Sequence, residues 1–223
     1  MRSLTALIRR DLSFFFLKKD SFFNILSMFL ILTFLLSILL PTQNIITSFA
    51  LLLVVHIITI TTFAHYIFQD DYQDSSLDQL RSSGYSALAL VMAKLLSYWA
   101  LNVVVLLIGI VVYLLAYNIN IREFLFPASV IIIVSIISTS ISTLVSALTL
   151  VGDKSGLLNI LISTPLLIAF FLYSVFLINT GVEANNLISF LLQLKTLIGF
   201  CLIILPISVF ACSHTLSEIQ CKS

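Results

Sequence analysis

Charge is what this sequence has least of. Only 9% of its 223 residues are Asp, Glu, Lys or Arg, 60% are hydrophobic, and the mean hydropathy is +1.17. Soluble domains carry roughly a quarter of their residues as charges, so a water-soluble fold is excluded. The net charge of +1 leaves no basic field to attract nucleic acid. Cysteine is scarce too. Cys201, Cys212 and Cys221 form no C-x-x-C pair, and thiols in apolar stretches behave as small hydrophobes. No small-residue cleavage site follows the first apolar run, which therefore reads as a retained span. A phosphate-binding loop is missing as well. Its nearest imitation, Gly152-Asp153-Lys154-Ser155, places an Asp between Gly and Lys with no glycine-rich run before it, and reads as a tight turn. The chain is therefore not expected to hydrolyse ATP or to be an enzyme itself.

What the sequence does have is apolar length. Crossing a hydrocarbon core about 30 Å thick takes roughly 20 helical residues. Six stretches qualify: Phe22 to Leu40, Ile45 to Phe68, Leu88 to Tyr117, Phe124 to Val151, Leu157 to Asn179 and Leu187 to Ser213. Short breaks such as Pro41-Thr42-Gln43-Asn44 and Asn118-Ile119-Asn120 make neighbouring helices antiparallel. The expected fold is all-α, a polytopic membrane protein of six transmembrane helices forming one domain over 1–223. An even number of spans puts both termini on one side. Of 11 Lys and Arg, only Arg122 and Lys195 fall on the other side. The positive-inside rule makes the richer side cytoplasmic.

Two basic features sit at that side. Lys94 lies in the first two turns of the third stretch, with Tyr98 and Trp99 following. It reads as an ammonium snorkelling to the interface rather than as a true intramembrane charge site. Within the cytoplasmic segment 1–21, Leu4, Leu7, Ile8 and Leu12 recur at helical spacing, with Arg9, Arg10 and Asp11 mostly on another arc. Leu4 to Phe16 reads either as an amphipathic helix on the inner leaflet or as a plain basic flank.

The spans offer few chemical candidates. His56 and His65 stand nine residues apart, about half a turn out of phase at roughly 100° per residue, so they cannot share a site on one helix. His214 lies at the end of the last span. No cofactor is assigned to these residues. Ser138, Ser142 and Ser146 form a stripe with Ser135, Thr139 and Thr143, read as a helix-packing face rather than a polar path. Pro165 and Pro206 are expected to kink their spans. Glu183 to Asn186 with Gln193 and Lys195 reads as a loop or a short amphipathic piece at the far side.

The most polar segment separates the second and third spans. Residues 69–86 form the loop, and Phe68 to Arg81 holds Asp70, Asp71, Asp74 and Asp78, four of the ten acidic residues. Ser76 and Gln79 have capping-box spacing, which starts a short helix presenting Leu77 and Leu80 on one ridge. Asp78 and Arg81 can pair three apart. An acidic element gains nothing from an anionic leaflet. It suits either a protein partner or a merely solvated connection.

The run F-Q-D-D-Y-Q-D-S-S-L-D-Q-L, Phe68 to Leu80, followed by Met92-Ala93-Lys94-Leu95, resembles the cytoplasmic loop of CcmB, the haem exporter protein B family. The family pattern reads F-x-D-D-x-x-D-G-S-L-E-Q-L, so Ser75 stands where Gly is usual and Asp78 where Glu is usual. Ser82-Ser83-Gly84-Tyr85 replaces a proline-rich stretch.

The resemblance implies an ABC-2-like permease subunit in cytochrome c biogenesis. It pairs with a CcmA-like ATPase, in two copies, beside CcmC, CcmD and CcmE-like haem-handling proteins, with haem as the possible cargo. ATP turnover on the partner would drive release of the haem-loaded chaperone. Phe68, Asp70, Asp71, Asp74, Ser76, Leu77, Asp78, Gln79, Leu80 and Arg81 would form the ATPase-coupling element. The membrane would be the bacterial inner membrane or its mitochondrial counterpart. A non-transporting scaffold of the haem-handling complex fits the same residues. A secondary carrier would show more ionisable groups at mid-membrane.

Overall fold

In the computed structural model, residues 4–17, 19–39, 45–117, 121–151, 156–183 and 187–219 are described, and every regular element among them is helical. The order is α1 (Leu4–Leu17), α2 (Lys19–Leu39), α3 (Ile45–Phe63), α4 (Tyr66–Gln73), α5 (Ser76–Ser82), α6 (Ala87–Tyr117), α7 (Ile121–Thr149), α8 (Leu157–Glu183) and α9 (Leu187–Glu218). Lipid offers backbone groups no hydrogen bonds, so an apolar span must satisfy its own, as a helix does. α3 and α4 taken together, α6, α7, α8 and α9 are long and apolar enough to cross a membrane; the apolar part of α2, Phe23–Leu39, is shorter. The architecture is a multi-pass all-α membrane protein.

α7 is the axis of the bundle, touching α3, α4, α6, α8 and α9. Its hydroxyl stripe allows that close approach. Ser135, Ser138, Thr139, Ser142, Thr143 and Ser146 are all buried. Most of these hydroxyls turn back on their own helix: Thr139 donates to the Ser135 carbonyl at 2.8 Å and Thr143 to the Thr139 carbonyl at 2.6 Å. One bond crosses between helices, from Trp99 Nε1 to Ser135 Oγ at 3.1 Å. α8 and α9 instead expose Leu161, Leu172, Phe176, Leu202 and Phe210, as lipid-facing helices do.

Buried side chains fall into two large clusters. One lies around Ile60, Phe68, Leu77, Tyr98 and Leu216, the other around Phe49, Leu53, Tyr113, Phe190 and Leu197. The first marks the end of the bundle that carries α1, α4 and α5, called here the charged end. Both α1 and the last residues of α9 lie there. Within this cluster the Phe29 ring of α2 sits against Gly109 of α6 so closely that any Cβ would overlap it. Only glycine permits the contact.

The second span departs from the expected Ile45 to Phe68. α3 stops at Phe63, Ala64 and His65 form a turn, and α4 resumes at Tyr66. His65 Nδ1 lies 3.1 Å from the Thr62 carbonyl, and the His65 ring lies against that of Tyr66, tilted by 37° with centroids 3.8 Å apart. Gly156, at φ +74°, presses against this ring. Hydropathy is blind to the break because Ala64, Ile67 and Phe68 stay apolar and buried.

α8 and α9 run through Pro165 and Pro206 as single helices. Gln193 does not belong to a separate piece; it lies on α9, where Thr180 donates to its Oε1 at 2.8 Å and Tyr173 to its carbonyl at 3.1 Å. The expected turns at 41–44, 118–120 and 152–155, with 184–186 and Cys221, lie outside the described residues.

Candidate coupling site at the charged end

The polar loop folds into two short helices joined by a tight corner. Ser75 is the N-cap of α5, in the left-handed region at φ 55°, and its side chain makes no capping bond. The capping box expected from Ser76 and Gln79 is therefore not formed. Ser76 is already helical, and a box needs its serine at the cap with extended backbone. Its hydroxyl instead donates to Asp71 Oδ1 at 2.8 Å, an acceptor strengthened by charge.

The apolar residues of the loop face the chain's own bundle. Phe68 is fully buried, and Leu77, 5% exposed, joins the same cluster. Leu80 packs against the small cluster of Leu7, Leu90 and Ala93. The ridge expected to meet a partner is thus turned inward, because burying two leucines within the chain removes more apolar surface from water than leaving them at the surface.

Arg81 fixes the loop to the end of the last span. Its Nη1 donates to the carbonyls of Leu216 and Ile219, and Nη2 to that of Ser217, each at 3.1 Å. These carbonyls at the end of α9 lack intrahelical partners and carry the negative end of its dipole. Asp78 lies 3.9 Å from the same guanidinium, three residues back as expected. Left on the outer side are Gln73, Asp74, Gln79, Ser82 and Ser83, all exposed.

Beneath this corner lies a cluster of four charges, three of them buried. Asp71 is 7% exposed, Lys94 6% and Asp11 3%. Lys94 Nζ stands 2.5 Å from Asp71 Oδ2 and 3.8 Å from Asp11 Oδ1. Arg10, the most accessible member, contacts Asp11 Oδ1 at 2.7 Å and Asp71 Oδ2 at 3.0 Å through Nη2. Burial lowers the Arg10 pKa, but the Asp11 and Asp71 carboxylates more than reverse this and raise it overall. Two cations and two anions cancel, and every oxygen of Asp71 has a donor: Ser76 on Oδ1, Lys94 and Arg10 on Oδ2. Ions leave water only under such pairing.

Two expectations change here. Lys94 does not snorkel outward; its ammonium turns into the protein because two carboxylates await it there. α1 does not simply rest on a leaflet with its charges outward. It packs on α6 through Leu7 and Asp11, one turn apart on the same face, and Ser97 donates to the Ile8 carbonyl at 3.4 Å. The residues that sequence reasoning missed are Arg10, Asp11 and Lys94 as partners of Asp71. The available signal was a lysine seven residues into an apolar helix, which demands a counter-ion.

The histidines do not converge. His56 is buried in α3 with Nε2 unpartnered, His65 sits in the α3–α4 turn, and His214 is exposed, 3.6 Å from Glu218. Cys212 is buried and Cys201 half-buried, both free thiols.

Comparison with known proteins places this arrangement. No curated protein matches the chain. A family model described as CcmB protein matches residues 2–218, which include every helix and the whole Phe68 to Arg81 loop. The chain belongs to the CcmB family, and is the multi-pass membrane permease subunit of a haem-exporter ABC transporter of cytochrome c maturation.

Proposed function

We propose that this subunit receives its separate ATPase on the outer face of α4 and α5, and that ATP turnover there drives haem handling and release of the haem-loaded chaperone. The charged end then faces the cytoplasm of a bacterial inner membrane, with both termini on that side, in agreement with its excess of Lys and Arg. Two copies would meet two ATPase subunits, with CcmC, CcmD and CcmE-like proteins alongside. The observation that carries the reading is the two-sided character of the corner. Its inner side is tied to α6 by Asp71 and to α9 by Arg81, while its outer side presents Gln73, Asp74 and Gln79 to water. A rigidly held, exposed acidic corner suits transmission of a push; a solvated connection would not need such ties.

Leu77 and Leu80 are unsuitable for testing this, since both pack inward. Asp74→Lys with Gln79→Lys changes only exposed side chains. Co-purification of the ATPase subunit with this double variant is expected to drop at least tenfold at unchanged thermal stability. Undiminished association would sink the docking assignment.

The scaffold reading keeps one supporting observation: in the α7 stripe Ser135, Ser138, Thr139 and Thr143 donate to carbonyls of their own helix, as packing hydroxyls do. Holo-chaperone release by complexes carrying a hydrolysis-dead ATPase separates the two. Unimpaired release would favour the scaffold.

A further inference from the structure

The loop is not the only element tied into the charged cluster. Arg10 and Asp11 come from α1, Asp71 from α4 and Lys94 from α6, so three elements separate in sequence share one neutral knot, buried except at Arg10. Apolar packing supports the same union, with Leu7 of α1 against Leu90 and Ala93 of α6, and Leu80 of α5 beside them. Charge pairs of this kind have few alternative arrangements, because any displacement strands a buried ion without its partner. Sliding of α1 or α4 along α6 is therefore blocked, whereas apolar surfaces alone would allow it.

We propose that the Arg10–Asp11–Asp71–Lys94 cluster is the joint of the transporter: it locks α1, α4 and the first turns of α6 into one lever, so that displacement of the corner by the ATPase moves α6 and carries α1 with it. This rests on the docking role proposed above. α1 is then a moving part of the transmission rather than a passive anchor on the membrane surface. Lys94 acts as a positioning residue that touches neither ATP nor haem.

The test uses the full chain assembled with its ATPase subunit in lipid nanodiscs, and cells that depend on it for cytochrome c maturation. Lys94→Gln leaves the exposed docking face untouched. It is expected to retain the ATPase subunit and ATP hydrolysis, while cytochrome c maturation falls at least tenfold. The charge exchange Asp71→Lys with Lys94→Asp, which restores a neutral knot, is expected to recover most of the lost maturation. A Lys94→Gln chain that is folded, ATPase-bound and matures cytochrome c at the parent level would overturn the joint.

Should Lys94→Gln fail to accumulate in the membrane, hydrogen exchange on the unaltered complex decides. The amides of α1, α4 and residues 87–97 are expected to change protection together on ATP binding. Protection of α1 changing while α4 and 87–97 hold, or the reverse, would overturn the lever. Failure of the ATPase to associate with the parent chain would strike the docking reading beneath it, a result distinguishable from either of these.

Discussion

At the charged end, position is set by ions: Lys94 against Asp71, Arg10 against Asp11, and Arg81 against the last carbonyls of α9. In the cluster at the opposite end, Phe49, Leu53, Tyr113, Phe190 and Leu197 pack by apolar contact. Apolar packing tolerates exchange of one shape for another of like volume, so the far cluster can absorb such substitutions. The charged cluster cannot, since each member is defined by a partner of opposite sign. Difference in chemistry thus sets apart a region expected to tolerate substitution from one expected not to.

The largest effect should follow from breaking that chemistry. Asp71→Ala strands Lys94 beside Arg10 with only Asp11 between them, and removing one partner of a buried pair costs about 3–5 kcal/mol. Asp74, three residues on, is exposed, and Asp74→Ala should leave the unfolding midpoint where it was. Thermal or denaturant unfolding of both in the same detergent checks the contrast. Equal midpoints for the two variants would mean that the cluster does not hold the charged end.

Next is the steric limit at α2 and α6. Gly109→Ala places a methyl group within the Phe29 ring, and overpacking of this kind costs about 1–3 kcal/mol. Phe29→Leu with Gly109→Ala should be more stable than the sum of the single changes predicts, because the two share one space. Additive losses would show that α2 simply moves away.

Smaller still is the tie to α9. Arg81→Gln removes the guanidinium fork from three carbonyls, but this side chain is 34% exposed, so water replaces part of what is lost. A loss of about 1–2 kcal/mol is expected, with faster amide exchange confined to the last turn of α9. Exchange spreading through α4 would contradict the assignment of Asp71, rather than Arg81, as the main tie.

These contrasts also show what the sequence makes legible. Five long spans and the shorter apolar helix before them were readable because apolar length is a property of each segment taken alone. The α3–α4 turn was not, since His65, the polar mark at the break, is matched to Gly156, far along the chain. Arg10, Asp11 and Lys94 illustrate the same limit: each is locally explicable as a flank or an interfacial charge, and only folding brings them onto Asp71. The direction of Leu77 was not legible for a related reason. Spacing establishes that Leu77 and Leu80 share a ridge, but not whether the ridge faces a partner or the chain's own Phe68 and Leu216. Arg81 was expected to pair with Asp78, and does so at long range, while its shorter bonds reach the opposite end of the sequence.

One departure from the family pattern acquires a physical meaning at the corner. Ser75 holds φ at 55°, a conformation in which a Cβ crowds the following carbonyl at a cost of roughly 1–2 kcal/mol, and the family pattern has glycine at this place. A glycine at this place would carry no such cost. Ser75→Gly should therefore relieve strain in the folded state. Glycine also gains freedom in the unfolded chain, which offsets part of the relief. The net effect is expected to be a stabilisation of a few tenths to about 1 kcal/mol, seen as a small rise in the unfolding midpoint. Ser75→Ala keeps the Cβ and should bring no such gain. Should Ala and Gly stabilise alike, the strain would not be in the backbone, and the hydroxyl of Ser75 would be the feature that costs.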